Sequence, residues 1–234
     1  MSTSGSTDYS IDRDTLIKES LQLVGAIGEG ISPNATQIAD ASRTLNIMLK
    51  AWQAYGIQLW TLHKSTVDLL ASTASYSFGA TGTNILERPL KITNVFIRDT
   101  ASTDSYLSPL SRNEYQNLAN KAVTGTPSQY YYDPQLGNGV LYIYPSPDTT
   151  AATSTMYVVY QSPIEDMDNS IDELDFPQEW YEAVKYGLAH RLAPIYGMDY
   201  MSRTMLKKDF EDILELAMSW DTEQESVFFG VERG

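Results

Sequence analysis

The 234-residue chain contains no cysteine and only two histidines. The missing thiols exclude a disulfide framework, a thiolate metal site and a cysteine nucleophile. Any acid–base or metal chemistry of imidazole falls to His63 and His190. His63 stands in an alternating apolar–polar stretch with no second histidine or carboxylate at a ligand spacing, which speaks against a metal. His190 follows the apolar stripe of a helix beside Arg191, the usual setting of a structural or interfacial histidine. Long hydrophobic runs are absent too. No stretch of about 18 apolar residues occurs, and no basic segment leading into an apolar one opens the chain. The expectation is a soluble protein, made in a cytoplasm without an export signal and without a membrane partner.

Positive charge is the next shortage. Lys and Arg number 16 against 30 Asp and Glu, a net charge of −14. The excess is uneven: residues 161–234 hold 17 acidic and 6 basic side chains, residues 1–160 hold 13 and 10. Gripping nucleic acid by its phosphates needs the opposite sign, so a DNA-binding protein is disfavoured. The acidic excess either keeps a helical surface soluble or lines a passage in which DNA slides without sticking.

Enzyme signatures are missing as well. No glycine-rich phosphate loop, G-x-S-x-G or H-E-x-x-H occurs. The stretch EDMDNSIDELD at 165–175 offers oxygen ligands at Asp166, Asp168 and Ser170. A calcium loop then needs glycine where Ile171 stands and glutamate where Pro177 stands. The stretch reads instead as a solvated turn that ends by capping the next helix. Glycoside hydrolysis asks only for two placed carboxyls, one with a raised pKa in an apolar pocket; thirty acidic residues supply pairs by chance, and the sequence shows no such pocket. The expectation is no enzyme, no cofactor and no metal.

What the chain does have is periodicity. LDFPQEWYEAVKYGLAHRLAPIYG (Leu174–Gly197) predicts a helix over 177–195, with Asp175 as N-cap, Pro177 in an early helical position and Glu179 complementing the helix N-terminus. Trp180, Val184, Leu188, Arg191 and Ile195 form its stripe, and Gly197 ends it. A first helix over 12–27 turns Leu16, Ile17, Leu21 and Val24 inward and stops at GEG. SPNATQIADASRTLNIMLKAWQAYGI offers Ser32 and Asn34 as caps, places Ile38, Ala41, Leu45, Met48, Trp52 and Tyr55 on one face, and stops at Gly56. A last helix over 199–220 aligns Leu206, Phe210, Ile213, Ala217 and Trp220.

Between these helices the pattern changes. LWTLHKSTVDLL, LKITNVFIRD, QYYYD, VLYIYP and TMYVVYQ read as strands with Gly, Pro, Asn and Thr in the turns. Ser111 and Glu114 predict a short capped helix over 111–120. The order helices, strands, helices gives an α+β fold: a helical bundle of long antiparallel helices from both ends of the chain, with an inserted β-rich subdomain. The expected divisions are a flexible N-terminal arm at 1–11, the bundle at 12–56 and 176–220, the β-rich insertion at 57–163, and an extended C-terminal tail at 221–234. Trp52, Trp180, Leu188, Phe210 and Trp220 are the expected core-packing residues. In the tail, DTEQESVFFGVERG, the apolar Val227, Phe228, Phe229 and Val231 either fold back or are held by a partner. Docking is favoured, because two phenylalanines can anchor an interface while the acidic spacer gives reach.

Three segments carry a resemblance. SRTLNIMLKAWQAYGIQLW, PSQYYYDPQLGNGVLYIYPSPD and FPQEWYEAVKYGLAHRLAPIYG, in this order, resemble the early helix, the aromatic hairpin ending in Pro-x-Pro-Asp and the central long helix of the head-to-tail adaptors of tailed bacteriophages. These are also called tail accessory factors or connectors, and the short-tailed phage adaptors are the nearest match. The resemblance implies a structural virion protein at the head–tail junction, assembled in the host bacterial cytoplasm. It implies about twelve copies in a ring that docks on the portal protein, extends the DNA channel, attaches downstream tail or nozzle proteins and helps retain packaged DNA until ejection. The DNA would pass without specific binding. The alternative from another class is a tail-associated peptidoglycan hydrolase.

Overall fold

A computed structural model of the chain describes residues 5–53, 59–82 and 87–220. Among the described residues there are five α-helices: α1 (Arg13–Leu23), α2 (Ala35–Trp52), α3 (Arg112–Gln116), α4 (Tyr181–Leu192) and α5 (Tyr200–Trp220). The chain divides into two compact units, with cuts after Trp60 and after Pro163. No helix among the described residues is long and apolar enough to cross a membrane.

Local chemistry sets the helix ends of the first unit. Asp12 caps α1 by accepting from the Thr15 amide at 2.8 Å. The helix stops earlier than GEG because Gly25 adopts φ +70°, and the Ala26 amide then donates back to the Leu21 carbonyl at 2.9 Å. Glycine takes this left-handed conformation without a Cβ penalty. Of the two cap candidates for α2, Asn34 does the work, in a reciprocal capping box with Gln37. Asp175 does not cap α4; its carboxylate accepts from the Glu165 amide at 3.2 Å, and the helix opens with a 3-10 turn at Gln178–Trp180. At the other end Pro194 has no N–H to continue the ladder. The chain turns through Gly197 at φ +71°, and Ile195, expected on the stripe, is 65% exposed.

These endings overturn the expected bundle of long antiparallel helices from both ends of the chain. The helices contributed by the two chain halves are 11 and 18 residues on one side and 12 and 21 on the other. At about 1.5 Å per residue, α1 and α4 are only about 16–18 Å long. The described structure is instead a mixture of short and long helices with several β-sheets. The core of the first unit gathers Leu16, Ile17 and Leu21 of α1, Leu45, Met48 and Trp52 of α2, Val184 and Leu188 of α4 and Ala217 of α5.

The second unit holds two four-stranded sheets. The first has the order β1 (Leu62–Asp68), β10 (Thr155–Gln161), β3 (Lys91–Arg98), β4 (Asp104–Tyr106). The second runs β2 (Ser75–Phe78), β8 (Gly139–Tyr144), β7 (Gln129–Pro134), β5 (Ser108–Pro109). A small parallel pair joins β6 (Thr124–Gly125) to β9 (Ser146–Pro147). Alternation sorts the side chains: Met156, Val158 and Tyr160 of β10 share one core with Val95 and Ile97 of β3 and with Leu141 and Ile143 of β8. The unit begins and ends on neighbouring antiparallel strands, with Leu62 opposite Gln161.

Candidate interaction surfaces

The residues singled out from the sequence fall into different settings. Trp52 and Trp180 are buried, with ring centroids 6.1 Å apart. Phe210 stacks on Trp52 at 6.1 Å and 14°, and Leu188 is fully buried. Trp60 and Phe176 join this aromatic cluster, 5.4 Å apart, and Trp60 lies 5.0 Å from Trp180. Trp220 closes α5, and its side chain lies outside the described residues. So do Val227, Phe228, Phe229 and Val231, the candidate partner-binding residues. His63 is exposed in β1, 6.1 Å from the Tyr160 ring. His190 lies flat against Phe210 at 5.9 Å. Burial, and then Lys207 and Arg191, hold its pKa below the usual histidine range.

The acidic stretch 165–175 is solvated at most of its carboxylates but buries Met167 and Leu174. Ile164, Met167, Leu174 and Phe176 are buried in the core of the first unit, while Ile171 stays exposed. Polar bonds pin the segment from two helices. Lys50 of α2 donates to the Ile164 carbonyl at 2.5 Å and pairs with Asp166 at 2.8 Å. Arg13 of α1 donates to the Asp168 carbonyl at 2.6 Å, and Asn46 accepts from the Met167 amide at 3.1 Å. Asp172 accepts from the Asn169 amide at 2.6 Å, which lowers its pKa. The carboxylates thus serve to shape the segment. Among the described residues no three His, Asp or Glu side chains converge as a metal cluster.

Two exposed surfaces were not singled out from the sequence. On α5, Met201, Met205 and Leu216 are exposed, while Leu206 and Ala217 are buried. On the outer face of the first sheet, Tyr106 is 66% exposed and lies 5.4 Å from Phe96, which is itself buried and stacks on the half-buried Tyr157 at 4.8 Å and 2°. Arg98 covers Tyr157 at 4.9 Å and holds Asp104 in a two-point ion pair at 2.7 and 2.8 Å. That fork raises the Arg98 pKa and lowers that of Asp104. Period-two alternation gives the face of each residue, but only cross-strand register brings Phe96, Tyr106 and Tyr157 together, and register is not readable from one strand. Aromatic residues and arginine in this arrangement suit protein contact.

Among the described residues, hydrogen bonds displace the pKa values of Asp8, Asp12, Asp104, Glu114, Asp172 and Asp199 downward. The arrangement offers contact area and charge. In comparisons with known proteins, the family model described as SU10 adaptor protein matches residues 12–228. No curated protein matches the chain.

Proposed function

We propose, from the premise that the chain belongs to the SU10 adaptor protein family, a phage head–tail adaptor family, that it is the structural adaptor which docks on the portal ring. There it extends the DNA channel, gives downstream tail proteins their attachment site and helps retain packaged DNA. The observation that carries this reading is the extent of the match, 12–228, which takes in both units and not one motif. About twelve copies form the working ring, and the acidic excess of residues 161–234 lets DNA pass without specific binding. The apolar cluster Val227, Phe228, Phe229 and Val231 docks on the portal or on a neighbouring copy.

The adaptor performs no chemical step in this reading. A wall hydrolase would need a general acid whose pKa is raised in an apolar pocket. The test is to mix purified protein with isolated portal and image the product by electron microscopy. A ring seated on the portal is the expected result. Absence of that ring, together with zymogram clearing that a single carboxylate substitution abolishes, would replace the adaptor by the hydrolase.

A further inference from the structure

Basic side chains are rare in residues 161–234, six in all against seventeen acidic ones. Three of the six, Arg191, Arg203 and Lys207, line one open cavity of about 420 Å3 beside His190, Thr204 and Tyr200. Lys207 has a partner one helical turn on, Glu211 at 3.3 Å. Arg191 and Arg203 have no ion pair among the described residues. The Nε of Arg203 is buried and lacks a hydrogen-bond partner among the described residues. Burial first, and then the charges of Lys207 and Arg191, lower the proton affinity of His190 beside them, with Glu211 opposing.

We propose that this cavity is a carboxylate-binding pocket whose occupant is the acidic segment 221–225 of a neighbouring copy of this chain. The proposal rests on the ring-forming adaptor reading and names one contact within the ring. Asp221, Glu223 and Glu225 alternate with Thr222 and Gln224, so an extended backbone turns all three carboxylates to one side. Arginine forks bind carboxylates with two parallel hydrogen bonds, which fits the two unpaired arginines. Chain length selects the neighbour. From Thr204 to Trp220, α5 rises about 24 Å at 1.5 Å per residue, whereas five extended residues beyond Trp220 span at most about 18 Å. Within that reach Glu225 alone approaches its own pocket, while Asp221 and Glu223 fall short, so the three carboxylates enter the pocket together only from another copy. Glu232 is farther along, but Arg233 beside it already supplies a cation. A contact between a pocket on one copy and a tail on the next is head-to-tail, the type that closes into rings. A nucleic-acid duplex is the poorer occupant. It carries a charge about every 1.7 Å and would run past Asp209, Glu211, Asp212 and Glu215 of the same helix.

The experiment titrates full-length protein into a fluorescently labelled peptide, DTEQESVFFGVERG, and reads anisotropy. The expected result is saturable binding that added salt weakens. The protein variant Arg191→Gln with Arg203→Gln should weaken binding about tenfold or more. The peptide carrying Asp221→Asn, Glu223→Gln and Glu225→Gln should lose as much against unaltered protein, so misfolding of the double variant cannot decide the matter. An unlabelled duplex oligonucleotide should not displace the peptide. Equal binding of the neutral peptide, no binding at all, or displacement by the duplex overturns the pocket assignment. The portal-mixing experiment reads the adaptor role separately. A ring on the portal without peptide binding removes only the pocket, and peptide binding without a ring removes only the adaptor.

Discussion

At Gly187 the helices of the first unit approach as closely as their side chains allow. A Cβ placed there would stand 3.0 Å from Met48 Sδ, from Phe210 Cε2 and from Trp52 Cζ2. Alanine gains about 1 kcal/mol of helix propensity over glycine, but overpacking a core costs about 1–3 kcal/mol. Three neighbours crowd the same point, and Trp52 and Phe210 are held by mutual stacking, so the cost wins. Gly187→Ala is expected to lower the urea midpoint with an unchanged m-value; a raised midpoint would show that the rings have room to move. His190 gives a residue-scale expectation for pH. Burial, then Lys207 and Arg191, depress its pKa in the folded state, with Glu211 opposing. The unfolded chain takes up the proton near pH 6.5, so below that point it binds more protons than the folded chain. Stability therefore falls as pH drops through about 6.5, and the loss ends once the folded state is protonated as well. The lowered carboxyls Asp12 and Asp172 act in a separate window, below about pH 4. Melting measured between about pH 7.5 and 5.5 should fall in the unaltered protein and fall less in His190→Gln. Spacing alone picked out Val184, Leu188 and Trp52 as inward-facing. It could not pick out Met167 or Phe176, because a loop has no period to read.

Among the elements, helix starts were more legible than helix stops. Asn34 with Gln37 and Ser111 with Glu114 are local devices: a side-chain acceptor and a return donor three residues on. Both boxes are formed, although the second opens a helix of only five residues, Arg112–Gln116. Stops depend on which glycine the chain can turn left-handed without losing buried surface. Gly25 satisfies that for α1, releasing Ile27 from the helix, and nothing in the pattern of GEG reveals it. The start of α4 departs from its sequence pattern for another reason. Asp175 had a second use, closing the acidic segment against Glu165, and tertiary demand outranked the local cap. These shifts shorten α1 and α4 enough to replace the expected bundle of long helices. The Asn34 cap is open to a direct measurement. Asn34→Ala should cost about 1 kcal/mol and Asn34→Gly only a few tenths, read from thermal melts. A negligible loss in Asn34→Ala would mean that the side-chain bond to the Gln37 amide is not what stabilises the start of α2.

For the whole molecule, the net charge of −14 bears on assembly. Like-charged copies repel, so a closed ring needs a template or a local contact that offsets the repulsion. Alone, the protein is expected to sediment as a monomer or weak oligomer, with the ring appearing on the portal; a stable closed ring without portal would contradict this. The proposed docking role gives the tail a task that a deletion can test. A segment with Val227, Phe228, Phe229 and Val231 after an acidic spacer can anchor on a partner, and on a ring each engaged tail raises the effective concentration of its own body at the next contact. Large gains in avidity, about a hundredfold or more, arise this way from individually weak contacts. The first unit already buries Trp52, Trp180 and Leu188 among its own helices, so loss of a docking segment should leave its cooperative melting intact. Deleting residues 222–234 separates the two roles. An unchanged melting temperature with lost portal binding is the expected outcome. A lower melting temperature with portal binding retained would mean that Phe228 and Phe229 belong to the chain's own core, and the docking role would fall.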